Sequence, residues 1–180
     1  MRCFVKQRSK EADMNDDNED LSKRHSWDAI NHPLDGLLSD HELVRKLAAT
    51  WRGSSDKEVR KQAAGQLLQA IHTHSRIEES VFYPRMRDAD EAMIAHFEQE
   101  HLKVDDLVAT LQGMSLDEPQ ADRLMSEMLD SVLRHIEQEE KEFFPKLESR
   151  DMAPVGLEMQ SFEANLIHMQ AQISDTGARR

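Results

Sequence analysis

The sequence predicts an all-α protein: an up-down-up-down four-helix bundle followed by a further C-terminal helix. Three observations point there. The 180 residues include only six glycines and five prolines, with 32% charged residues, a composition that favours helices over sheets. Four long stretches carry apolar residues at alternating three- and four-residue spacing, which places one buried stripe on each helix. The connections between them are short, so successive helices run antiparallel.

Residues 1–24 ("…SKEADMNDDNEDLSKR") are polar, charged and aperiodic and are expected to form a disordered arm. Pro33 suits the first turn of a helix reaching about Trp51, where "RGSSDKE" supplies a turn and a fresh N-cap. A second helix is expected from about Asp56 to Pro84. "RDADE" opens a third, ending at Gly113, and a fourth spans roughly Glu118 to Leu147. The tail adds a shorter fifth through Leu157, Phe162, Leu166 and Ile173. The division is thus a polar arm (1–24), a four-helix bundle (25–149) and a helical tail (150–180).

The stripes carry the chemistry. Helix one presents Leu34, Leu37, His41, Val44, Ala48 and Trp51; helix two presents Ala64, Leu67, Ile71, His74, Glu78 and Val81. Helix three presents Ile94, Phe97, His101, Val104, Val108 and Leu111, and helix four Met125, Met128, Val132, His135, Glu139 and Phe143. A histidine interrupts every stripe, and in two of them a glutamate follows one turn later. These six side chains therefore point inward.

An internal repeat links them. "HELVRKLAATWRG" from His41 matches "HLKVDDLVATLQG" from His101, and "HSRIEESVFYP" from His74 matches "HIEQEEKEFFP" from His135. His41 and His74 are 33 residues apart, His101 and His135 34. Two similar hairpins would face each other about a pseudo-two-fold axis. Within each hairpin, equal-height counting leaves the two histidines about five residues, or roughly 7 Å, out of step.

Burying two carboxylates and four imidazoles costs several kcal/mol each unless something neutralises them. A pair of metal ions does so. Four nitrogens with two carboxylates suit two irons, Glu78 and Glu139 bridging and two histidines terminal on each. Manganese or zinc fits less well, and no thiolate is present to favour structural zinc. "EQEH" at Glu98–His101 matches one ferritin-like Glu-x-x-His, but the second copy such a site needs is missing. Asp105, one turn beyond His101, is a further candidate ligand. Glu79 and Glu140 repeat in both halves, as supporting or solvated residues. His25, His32, His72, His96 and His168 fall off the stripes and are expected at the surface, and Tyr83, whose repeat mate is Phe144, is expected to pack.

His41, His74-x-x-x-Glu78, His101 and His135-x-x-x-Glu139, with the "EE…FYP" and "EE…FFP" endings, resemble the hemerythrin-like (HHE cation-binding) family over about residues 28–148. The resemblance implies a bundle of hemerythrin type around an oxo- or hydroxo-bridged di-iron centre. It assigns His41 and His74 to one iron and His101 and His135 to the other. Oxygen-carrying members have a further histidine one turn from the third-helix ligand. Here those positions are Phe97 and Asp105, so that ligand is absent or replaced.

The totals bound the function. A formal charge of −12 leaves no basic stripe for nucleic acid. A lone cysteine, Cys3, cannot form an internal disulfide and fits a reducing compartment. No apolar run approaches a membrane span, and "MRCFVKQRSK" lacks a signal peptide's apolar core, so a cytoplasmic location is expected. The expected partners are small molecules: oxygen, peroxide or nitric oxide, in a stress response or in iron or oxygen sensing. Peroxide reduction or iron oxidation by an enzyme, iron storage or delivery, and reversible oxygen binding are the alternatives.

Overall fold

The computed structural model describes residues 32–177, with side chains through Met169; the arm of residues 1–24, Cys3 and His25 lie outside them. Helix α1 (Pro33–Gly53) begins with proline at its first position and His32 Nδ1 accepting from the Leu34 amide at 3.3 Å. That capping contact gives His32 a structural task rather than a free surface position. Helix α2 (Lys57–Ile77) starts from Asp56, whose carboxylate accepts from the Glu58 and Val59 amides. It passes into a turn of π-helix (Glu78–Phe82) and a short α3 (Tyr83–Met86). Helices α4 (Glu91–Gln112, capped by Asp90) and α5 (Pro119–Gln138) form the second hairpin. α5 likewise passes into a π-turn (Glu139–Phe143), then a 3-10 turn (Phe144–Lys146), and α6 (Ala153–Gly177) follows. The described residues contain no strand.

All six residues of each expected stripe are buried. They build two apolar layers. One, mainly aliphatic, contains Val44, Leu67, Ile71, Val104, Met128 and Val132. The other is aromatic, with Phe82, Tyr83, Phe97, Phe143 and Phe144, and includes Met152 and Met159 from the tail. The four stripe histidines lie between these layers. In the first hairpin the height discrepancy is taken up by the connection, where Ser54 and Asp56 are extended. At about 3.3 Å per extended residue they carry the chain past the end of α1 before α2 begins.

α6 packs on α1, α2 and the first π-turn. Its inward face is not the expected one. Met152, Val155, Met159 and Glu163 are buried and Phe162 packs partly against the aromatic layer, whereas Leu157 is 68% exposed. Leu166 is half-buried, and the side chain of Ile173 lies outside the described ones. Among the described residues no helix is long and apolar enough to cross a membrane.

Candidate metal centre

Each hairpin brings its two histidines together. His41 Nε2 lies 3.1 Å from His74 Nε2, and His101 Nε2 lies 3.0 Å from His135 Nε2. The glutamates join the pairs. Glu78 Oε2 is 3.2 Å from His74 Nε2 and 3.5 Å from His101 Nε2, while Glu139 Oε2 is 3.4 Å from His41 Nε2 and 3.5 Å from His135 Nε2. Both glutamates thus reach one imidazole of each hairpin, and both are wholly buried. The two π-turns start at these residues. A π-turn widens the helix by one residue and often marks a functional position; here it falls where the chain presents a buried carboxylate between the two histidine pairs and, next to it, a second acid.

That second acid, and the acid preceding each lone histidine, hold the imidazoles from behind. His41 Nδ1 donates to Glu140 Oε1 at 2.8 Å, His101 Nδ1 to Glu79 Oε1 at 3.2 Å, His74 Nδ1 to Asp40 Oδ2 at 3.3 Å and His135 Nδ1 to Glu100 Oε2 at 3.0 Å. A carboxylate only accepts, so Nδ1 carries a proton and each Nε2 faces the centre. Two arginines anchor the acids. Arg45 bonds both oxygens of Glu140 at 3.0 and 2.8 Å, and Arg76 bonds Glu79 and Asp105 at 3.2 and 3.0 Å.

Tyr83 enters the centre itself. Its hydroxyl donates to Glu139 Oε1 at 2.7 Å and lies 3.3 Å from Glu78 Oε2, 3.5 Å from His101 Nε2 and 3.4 Å from His135 Nε2. The ring stacks on Phe97, which meets His135 edge-on.

The electrostatics follow from these contacts. Burial opposes charging His74, but Glu78 and Asp40 outweigh it and hold its pKa well above the usual imidazole value. His135 is raised too, with Glu139 and Glu100 overcoming burial. Glu139 is lowered against its burial by His135 and His41. The His41 hydrogen bond, opposed by burial and helped by Arg45, brings Glu140 down to about 2. Burial and both central carboxylates push the Tyr83 phenol well up. Protons on imidazole are the only neutralisation at hand: among the described residues, the ion-pair partners of Glu78 and Glu139 are imidazoles, not lysine or arginine.

Two groups of atoms could hold a metal ion: His41, His74, Glu78 and Glu139; and Glu78, His101 and His135. Glu78 Oε1 and Glu139 Oε2 are buried without a hydrogen-bond partner. The facing Nε2 atoms, 3.0–3.1 Å apart, have the spacing of neighbouring ligands when each lies about 2.1 Å from one ion. The donor set fits a pair of first-row cations.

The six expected site residues therefore meet in one layer. Asp105 does not join them; it is held by Arg76. Glu98 pairs with Arg87 instead of forming a metal pair with His101. Tyr83, expected only to pack, and the backing acids Asp40 and Glu100 contact the candidate ligands directly, which the stripe count missed. The signal for the acids was present: an acidic residue directly precedes His41 and His101 in both halves of the repeat.

The profile of the Hemerythrin HHE cation binding domain matches residues 32–147. A DNA nickase from a Nostoc species is 26% identical over 61% of this chain, and a hemerythrin-like protein of Schizosaccharomyces pombe is 23% identical over 71%. The matched segment spans 32% and 64% of those relatives' own lengths. The crystal structure of a hemerythrin HHE cation binding domain-containing protein from Mycobacterium kansasii superposes with a TM-score of 0.62 at 21% identity, covering 74% of this chain and 86% of that one.

Proposed function

Because the chain belongs to the hemerythrin HHE cation-binding family, we propose that it holds two irons in this layer and uses them to bind or react with oxygen, peroxide or nitric oxide. His41 and His74 would hold one iron, His101 and His135 the other, and Glu78 and Glu139, each within reach of both histidine pairs, would serve both. The observation that carries this reading is the inward convergence of four Nε2 atoms and two buried carboxylates, with orphaned oxygens on both glutamates. Manganese or zinc is the weaker choice for such a nitrogen- and oxygen-rich centre in this family.

Iron supplies one-electron chemistry and open positions for small ligands. The chain's own residues do the rest. Asp40, Glu79, Glu100 and Glu140 orient the imidazoles and fix their tautomers. The Tyr83 hydroxyl offers a proton donor beside His101 and His135. Phe97, Phe143 and Phe144 keep water from the aromatic side. Phe97 also takes a position where oxygen carriers of the family have a further histidine, which leaves more positions open to added ligands and favours redox reaction over reversible carriage. Anaerobic loading with ferrous iron, followed by additions of oxygen, peroxide and nitric oxide under stopped-flow absorption, tests this. A protein that takes up no iron, or whose loaded form reacts with none of the three, contradicts it.

A further inference from the structure

The two halves of the centre are not alike. Among the described residues, four ligand atoms, from His41, His74, Glu78 and Glu139, converge around one position; three, from Glu78, His101 and His135, converge around the other, which Glu139 reaches from one side at 3.5 Å from His135. Tyr83 accounts for the difference. Its hydroxyl occupies one oxygen of Glu139 at 2.7 Å and stands 3.3–3.5 Å from Glu78, His101 and His135, in the space a fourth ligand of the second position would use. The internal repeat places Phe144 opposite Tyr83, and its ring lies 5.8 Å from His41 in parallel, with no oxygen to offer. The backing acids differ as well. Asp40 behind His74 is 1% exposed, whereas Glu100 behind His135 is partly open and lies 3.7 Å from the exposed His96.

Resting on the di-iron reading, we infer that the centre loads in order. The His41/His74 position takes the first divalent ion tightly, and the His101/His135 position takes the second more weakly and exchanges it. The first ion meets two carboxylates, which match its charge. The second meets the same two carboxylates after the first has drawn on them, Glu139 also being tied at 2.7 Å by the Tyr83 hydroxyl, together with two imidazoles and the repulsion of its neighbour. Occupancy of the second position alone then follows metal supply, so the chain can respond to free divalent metal without emptying its centre.

Cobalt(II) titrated anaerobically into the metal-free full chain, followed by calorimetry and visible absorption, is the test. Two ions should bind in separate steps whose dissociation constants differ at least ~10-fold, the scale on which surrounding groups tune metal affinity. The first and second equivalents should give different spectra. His101→Ala, and His135→Gln as a milder second variant, should keep the tight step and lose the weak one. His41→Ala should lose the tight step, and Tyr83→Phe should move the second step only. Two ions binding wild type in one step of equal affinity, or loss of both ions in His101→Ala and His135→Gln alike, would overturn the order while leaving the two-metal reading intact. A wild-type total of one ion would overturn both.

Discussion

Glu78→Gln separates a metal ligand from a structural ion pair, because the two roles move stability in opposite directions. Glu78 is wholly buried, 3.2 Å from His74 and 3.5 Å from His101, and one of its oxygens accepts no hydrogen bond. Making both members of a buried ion pair neutral is neutral or stabilising by about 1–4 kcal/mol, whereas removing one member costs about 3–5 kcal/mol if the other stays charged. In the variant His74 loses its largest pKa-raising partner, so its proton leaves and no charge is stranded. We take up to about 2 kcal/mol for the metal-free protein. For a chain of this length that is a Tm unchanged or raised by up to about 8 °C. The loaded protein behaves oppositely. Weakening metal binding about 10- to 100-fold removes about 1.4–2.7 kcal/mol of ligand-derived stability, or about 3–11 °C. Thermal melts followed by circular dichroism at pH 8, on chelator-treated and anaerobically iron-loaded samples with iron counted in each, read both signs. A metal-free variant that melts more than about 10 °C lower, or a loaded variant that keeps full iron and its full rise in Tm, refutes the reasoning.

Three further outcomes follow from the same geometry. His74 and His135 have folded pKa values raised above the ordinary 6.5; their contribution to metal-free stability is complete below pH 6.5 and is lost as pH rises through the raised values. Iron binding needs the same nitrogens unprotonated, so the iron-dependent rise in Tm should widen from pH 6.5 upward, and a difference independent of pH from 5.5 to 8.5 would contradict this. Glu140→Ala frees His41 Nδ1 and should weaken iron binding about 10- to 100-fold with the helical content of the far-UV spectrum unchanged; unaltered affinity in an iron-chelator competition would show that Glu140 orients nothing. With Phe97 in place of an added histidine, the diferrous protein mixed with oxygen should pass to the ferric state without a long-lived oxygenated form, and a reversible oxygenated spectrum lasting many minutes would favour carriage instead.

The stripes were legible because burial in a helix repeats every three or four residues, and a histidine or glutamate at such a position must face the core whatever its polarity. The repeat then paired the hairpins. Three features were hidden for physical reasons. The π-turns at Glu78 and Glu139 shift the register by one residue, and neither "EESVF" nor "EEKEF" carries a local signal for them. Asp40 and Glu100 lie about 100° around the helix from the stripe, so a stripe count assigns them to the surface, yet each reaches the imidazole of the adjoining helix. Tyr83 was half legible: its ring packs on Phe97 as expected, but where its hydroxyl goes depends on tertiary geometry. α6 misled because the acidic Glu163 lies on its buried face while Leu157 points outward.

The central claim is that four histidines and two shared glutamates hold two irons side by side. X-ray absorption at the iron edge of the loaded protein, with iron and protein counted on the same sample, tests it most directly. Two irons per chain, a nitrogen- and oxygen-only ligand shell, and a second iron scatterer within about 4 Å are expected. One iron per chain, or two with no iron neighbour in that range, would contradict it.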